Sequence, residues 1–185
     1  NYNWGYDPHN YFTPEGWYAT DAADPYCRIR ELLELINECH KAGIGVLLDV
    51  VYNHMAGTQF LDDIVPGYYF RTNAKGGFTS NSGCGNDTAT ERTMMKRLVV
   101  DSTSHWVKNY KVDGFRFDLM GLMEASSVVD SYKACKKINA STLFEGEGWR
   151  MYNGAPGTVG MDQRYMLQTN EVSVFNDEFR DAMKA

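Results

Sequence analysis

The stretch "VDGFRFDLMG" at 112–121 carries Arg116 and Asp118 two positions apart. Side chains alternate along a strand, so Arg116 and Asp118 share one face while Asp113, Phe115 and Phe117 share the other. The plain reading is a structural ion pair. Against it, a buried pair often adds nothing over hydrophobic residues of similar volume, and Asp118 stands last on its strand. A second run, "TLFEGE" at 142–147, puts Glu145 and Glu147 on one face, again with the acid last. Two carboxylates delivered to one cavity are the equipment of glycoside hydrolysis. One attacks or stabilises the anomeric carbon, and its protonated partner hands a proton to the leaving oxygen. Paired acids alone are a weak signal, but aromatic residues surround them. Tyr2, Trp4, Tyr6, Tyr11, Tyr52, Tyr68, Tyr69 and Trp149 fall mostly in expected loops, where their flat faces suit sugar rings. Core packing explains any single one of them equally well.

A third polar strand end, "DVVYNH" at 49–54, offers Asp49, Asn53 and His54. A lone histidine is as readily a structural hydrogen-bonder as a participant in chemistry. His40 and His105 fall in expected helices with no partner in sequence and are given no role. No His/Cys/Asp grouping has zinc spacing, so no metal site is assigned. The chemistry requires no cofactor, and a calcium ion held through Asn53 and loop carbonyls is compatible with the sequence.

These strand ends need elements to position them. "DPYCRIRELLELINECHKAG" predicts a helix with Asp24 as N-cap, Pro25 at the first position, Ile29, Leu32, Leu33 and Ile36 on one stripe, and Gly43 as the stop. The apolar run at 44–51 predicts a strand covered on both faces. A Gly-, Asn- and aromatic-rich loop follows at 52–90, a length that is usually functional. Helical spacing then covers 91–110, a strand 112–118, a helix 123–138, a short strand 142–147 and a final helix 171–185. Alternating strands and helices joined this way mean parallel pairing. A doubly wound sheet would carry a Gly-rich phosphate turn after its first strand, and "DVVYNHMAG" does not. A barrel instead predicts polar residues at the carboxyl ends of several strands, which "DVVYNH", "FRFD" and "EGE" supply. The expected class is α/β, a partial (β/α)8 TIM barrel.

Composition agrees. With 43% apolar and 14% aromatic residues in 185, the chain can bury a core. A net charge of −6 with interspersed signs argues against a nucleic-acid or membrane partner and for a neutral polar ligand. No run reaches the length of a membrane span. The chain opens on Asn1 within an aromatic run, without an initiator methionine or a signal segment, so a piece of a longer protein is expected and its compartment (secreted, cell-surface or cytoplasmic) is unassigned. Cys27, Cys39, Cys84 and Cys135 lack C-x-x-C spacing and are expected to be buried free thiols.

In their order, "DVVYNH", "DGFRFD" and "GEGW" resemble the α-amylase superfamily of glycoside hydrolases, at the spacing of consecutive barrel strands three, four and five. The opening "YNWGYDP" at 2–8 is similar to the signature of type I pullulanases, the α-1,6 debranching members, as are "PEGWYATD", "GNDTATER", "FRFDLMG" and "FNDEFRDA". The resemblance implies that residues 1–185 are a fragment of the catalytic barrel, from about the end of strand two to the helical region after strand five, with 52–90 a long loop after strand three. It implies Asp118 as nucleophile, Glu147 as general acid and base, and Arg116 as the cation that keeps Asp118 ionised. Tyr6 and Asp7 would lie in the substrate site, Tyr6 stacking on the sugar. His54 would bond that sugar, Asp49 would brace its strand end, and Trp149 would meet the leaving sugar. The expected partner is an α-glucan such as pullulan, starch or glycogen. The family's third acid, on a later strand, has no match here. The missing strands are therefore expected from the rest of the parent polypeptide or another chain, and this segment alone is expected to be inactive. Two alternatives stay open: an α-1,4-acting hydrolase or transferase, and a non-catalytic glucan-binding relative.

Overall fold

The computed structural model describes residues 3–184; Asn1, Tyr2 of the aromatic opening and Ala185 of the expected last helix lie outside the described residues. Four parallel strands make one sheet in the order β1-β2-β3-β4. They are β1 (Leu47–Val50), β2 (Gly114–Phe117), β3 (Leu143–Gly146) and β4 (Ser173–Val174). The helices are α1 (Cys27–Lys41), α2 (Gln59–Asp62), α3 (Thr93–His105), α4 (Ala125–Ile138) and α5 (Asp177–Lys184). Among the described residues no helix is long and apolar enough to cross a membrane.

One face of the sheet makes the core. Phe115, Phe117 and Phe144 are buried, with Phe144 5.2 Å from Phe115 and 5.1 Å from Phe117. Met95 and Val99 of α3 and Val128 of α4 are buried in the same cluster. Each such side chain contributes about 1.5–3 kcal/mol by leaving water. The other face holds Leu47, Gly114 and Leu143 in one register row and Asp49, Arg116 and Glu145 in the next. Leu143 is 62% exposed there, because this face is the inside of a barrel of which these strands are one part.

Several elements depart from the sequence reading. Helix α1 starts at Cys27 rather than at Pro25, because Asp24 bonds the backbone N–H of Tyr26 and closes a turn ahead of the helix. Its end is as read: Gly43 takes φ +75°, with Gly43 N–H on the His40 carbonyl and Ile44 N–H on that of Cys39, the pairing a left-handed glycine permits. The first strand is shorter than 44–51, and Ile44 and Leu47 are exposed rather than covered. The 52–90 segment is not structureless, since it contains α2 and antiparallel bridges joining Phe70 to Thr88 and Thr72 to Phe78. The helix expected over 91–110 ends at His105 and continues as a wider π turn, Trp106–Tyr110, closed by Lys111 at φ 62°. The helix expected over 171–185 is two elements. Ser173–Val174 pairs with β3, and Asn176 then caps α5 by accepting from Phe179 N–H at 2.8 Å. Apolar residues at Val172 and Phe175 mimic a helical stripe, but Val172 and Val174 are β-branched and suit a strand. The cysteines are all free, as expected, but only Cys27 and Cys135 are buried and Cys84 is exposed. His40, given no role, bonds Asp113 at 2.8 Å and ties α1 to the start of β2.

Candidate active site

The carboxylates are held by the sheet itself. The Asp118 N–H donates to the Val50 carbonyl at 2.9 Å and the Glu147 N–H to that of Phe117 at 3.1 Å. Both residues thus sit one step past a paired strand, on the inward face, where a parallel sheet ends and its top begins. The inward Asp49 on β1 and Arg116 on β2 lie opposite each other in register.

Arg116 joins them. Its Nη1 lies 2.7 Å from Asp49 Oδ1 and 3.4 Å from Asp118 Oδ1, and its Nη2 lies 2.7 Å from Glu147 Oε1. The planar guanidinium fork can serve several oxygens at once. Arg116 is therefore not the private partner of Asp118 that the sequence suggested; its closer bonds go to Asp49 and Glu147. Burial pulls its pKa down, but the bond to Asp49 and the charges of Asp49, Glu147 and Asp118 outweigh that and leave it raised. With Asp118 16% and Glu147 18% exposed, these charges interact with little screening by water.

Tyr6 closes one side. Its hydroxyl donates to Asp49 Oδ2 at 2.7 Å and its ring lies 5.9 Å from the Arg116 guanidinium. The bond to Asp49, helped by burial, raises its pKa. His54 is buried; its Nδ1 lies 2.7 Å from Asn53 Oδ1 and its carbonyl accepts from Tyr11. Asn53 Nδ2 then donates to both Oδ2 and the carbonyl of Asp118. The geometry thus brings Asp118, Glu147, Arg116, Asp49 and Tyr6 into direct contact and links His54 through Asn53. Trp149 stands apart from that cluster. Its ring faces Arg180 at 6.0 Å and lines a cleft of about 300 Å³ with Gln163 and Asp177. Asp7 is exposed and accepts from Asn3; among the described residues no hydrogen bond or ion pair joins it to the cluster.

Other participants escaped the sequence reading. The sequence offers Asn53 as a strand-end polar residue and a calcium ligand, but not as the partner of Asp118. The Leu119 N–H donates to Glu147 Oε2 at 3.0 Å from a left-handed backbone at φ 41°, a conformation that Leu rarely adopts and its sequence does not signal. Phe175, expected in a helix, lies after β4 with its ring 5.7 Å from Arg116. Among the described residues no group of three or more His, Cys, Asp and Glu side chains is arranged to hold a metal ion.

No family model matches the chain. It is 46% identical over its whole length to pullulanase A of Streptococcus pneumoniae serotype 2, and 38% identical over 99% of its length to the pullulanase of Bacillus subtilis. It spans 15% of the first of these proteins and 26% of the second. The Group B Streptococcus pullulanase SAP, solved with maltotetraose, superposes with a TM-score of 0.95 over 100% of this chain and 24% of its own, at 44% identity. The parallel sheet agrees with these likenesses, and at this identity the chain belongs to the pullulanases of the α-amylase superfamily, as part of a (β/α)8 barrel.

Proposed function

We propose that residues 1–185 are a segment of the catalytic barrel of a retaining hydrolase that cleaves α-1,6 linkages in pullulan-, starch- or glycogen-type glucans. The observation that carries this reading is the bridge from Arg116 to both Asp118 and Glu147 on adjacent strand ends. In the proposed mechanism Asp118 attacks the anomeric carbon and forms a β-glycosyl ester, while Glu147 gives its proton to the departing O6. Glu147 then takes a proton from water, which attacks the same carbon and releases the sugar with its α configuration kept. Arg116 and Asn53 each hold one Asp118 oxygen, which fixes the attacking carboxylate. Both Glu147 oxygens accept bonds, from Arg116 and from Leu119, which hold the acid in place. Tyr6, 38% exposed, presents its ring to stack on the sugar, and His54 offers it a ring nitrogen. The leaving glucan extends past Trp149, and the third acid comes from outside this segment. No step uses a cofactor; calcium at Asn53 would compete with His54 for Oδ1. The segment alone is expected to be inactive.

The test is reducing-end release from pullulan by the full-length protein beside its Asp118→Asn and Glu147→Gln variants. Maltotriose from the wild type and loss of about 10³-fold or more in each variant support the reading. Turnover of amylose with none of pullulan overturns the bond assignment, and full activity in either variant overturns the roles.

A further inference from the structure

The loop after β1 and the loop after β3 meet at a polar junction built around Arg71. Arg71 is 4% exposed there and its Nη2 lies 2.8 Å from Glu91. A buried ion pair is weak evidence for stability, since apolar residues of the same volume often do as well. The rest of the guanidinium is directed elsewhere: Nη1 donates to the Leu122 carbonyl at 2.9 Å and to Asn153 Oδ1 at 2.8 Å. The other end of the Asn153 amide donates to Asp87 at 2.9 Å, and the Arg71 guanidinium lies 4.6 Å over the Tyr152 ring. Asp87 is anchored in turn by the N–H groups of Asn81 and Ser82, both at 2.8 Å. Its neighbour Asn86 bonds both the N–H and the carbonyl of Met55, directly after His54. "GNDTATER" at 85–92, which the carboxylate chemistry leaves unused, therefore links the two loops.

Between Glu147 and Asn153 lies Trp149. At one end the Glu147 carbonyl accepts from Gly121, and at the other Asn153 is gripped by Arg71 and Asp87. We propose that Asn153 is a positioning residue that sets Trp149 against the leaving side of the glucan, so Arg71 and Asp87 of the long loop tune substrate fit without touching substrate. This rests on the proposed debranching function. Arg71→Met would leave Glu91 buried without its cation and is expected to unfold the protein, so Asn153→Ala is the informative variant. The measurement is KM and kcat on pullulan for the full-length wild type, Asn153→Ala, Trp149→Ala and the double variant. We expect Asn153→Ala to fold, to keep kcat within about threefold, and to raise KM about tenfold, with an added effect under twofold in the Trp149→Ala background. Equal effects in both backgrounds, a loss confined to kcat, or no effect overturns the proposal. An inactive wild type overturns the debranching reading and this inference with it, whereas an active wild type with an indifferent Asn153→Ala overturns only the inference.

Discussion

Asn53 Nδ2 meets Asp118 twice, at the carboxylate oxygen Oδ2 (2.9 Å) and at the backbone carbonyl (2.8 Å). Both are acceptors, so the amide orientation is fixed and its Oδ1 must face His54. His54 Nδ1 therefore carries the proton of that bond, which leaves Nε2 to accept when the ring is neutral. Asn53→Asp would set a second carboxylate against Asp118. We expect it to cut kcat on pullulan at least about 100-fold while Asn53→Ala loses about tenfold. Steady-state kinetics of the full-length protein check this, and equal losses would show that only the bond, not the charge, matters.

Arg116 addresses three carboxylates from one guanidinium. A lysine keeps the charge but is a single point with no planar fork, so Arg116→Lys is expected to lower kcat/KM by about 10²-fold. Activity close to wild type in that variant would mean that charge alone suffices.

Gly121 packs its α-carbon against the loop behind the acid, and a Cβ built there would stand 1.8 Å from the Trp149 carbonyl oxygen. Backbone cannot give way as a flexible side chain does. Gly121→Ala is therefore expected to cost about 1–3 kcal/mol of stability and to raise KM by displacing Trp149. Thermal unfolding and kinetics of the same preparation read both, and an unchanged melting temperature would refute the close approach.

Cys135 is pushed from an ordinary 9.0 up to about 11 by burial, against lowering bonds from Thr103 and Ser104. Its folded pKa lies above its unfolded one, so the unfolded chain releases the proton first. The thiol's contribution is full below pH 9 and is lost as pH rises toward about 11. Burial raises Tyr11 and Tyr52 as well, in the same direction. Melting temperature should fall across this window, less steeply in Cys135→Ala. Exposed Cys84 should react with a thiol reagent in the native state, and Cys135 only on unfolding; simultaneous labelling would contradict their burial.

The strand ends were legible in the sequence because parallel buried strands are apolar runs, and charged residues at their ends stand out. Asp118, Glu147 and Arg116 were found by period-two alternation, and the structure puts them on one inward face. Asn53 was visible only as a member of a motif. Its role depends on Asp118 from the next strand, a pairing that sequence distance hides. β4 was misread because two residues are too short to show a period, and the hydrophobic spacing of α5 ran on through them. The partners of Arg116 were also beyond alternation, which gives a face but not which of three carboxylates comes nearest. Leu119 shows the limit most plainly, since a left-handed backbone at a leucine is imposed by its surroundings.

The connection from β3 to β4 runs over 147–172 with only a 3-10 turn, Tyr165–Leu167, and no α-helix. Where α3 and α4 shield the other strands, this stretch zips onto the start of α4, with Met161 N–H on the Met123 carbonyl and Ala125 N–H on that of Val159. Buried Met161 and Val172 serve as its cover. A segment that would elsewhere be armour on the outside has become architecture at the mouth. The wall beyond the acid can therefore change its length and lining, and with them the shape of glucan admitted, without repacking a helix.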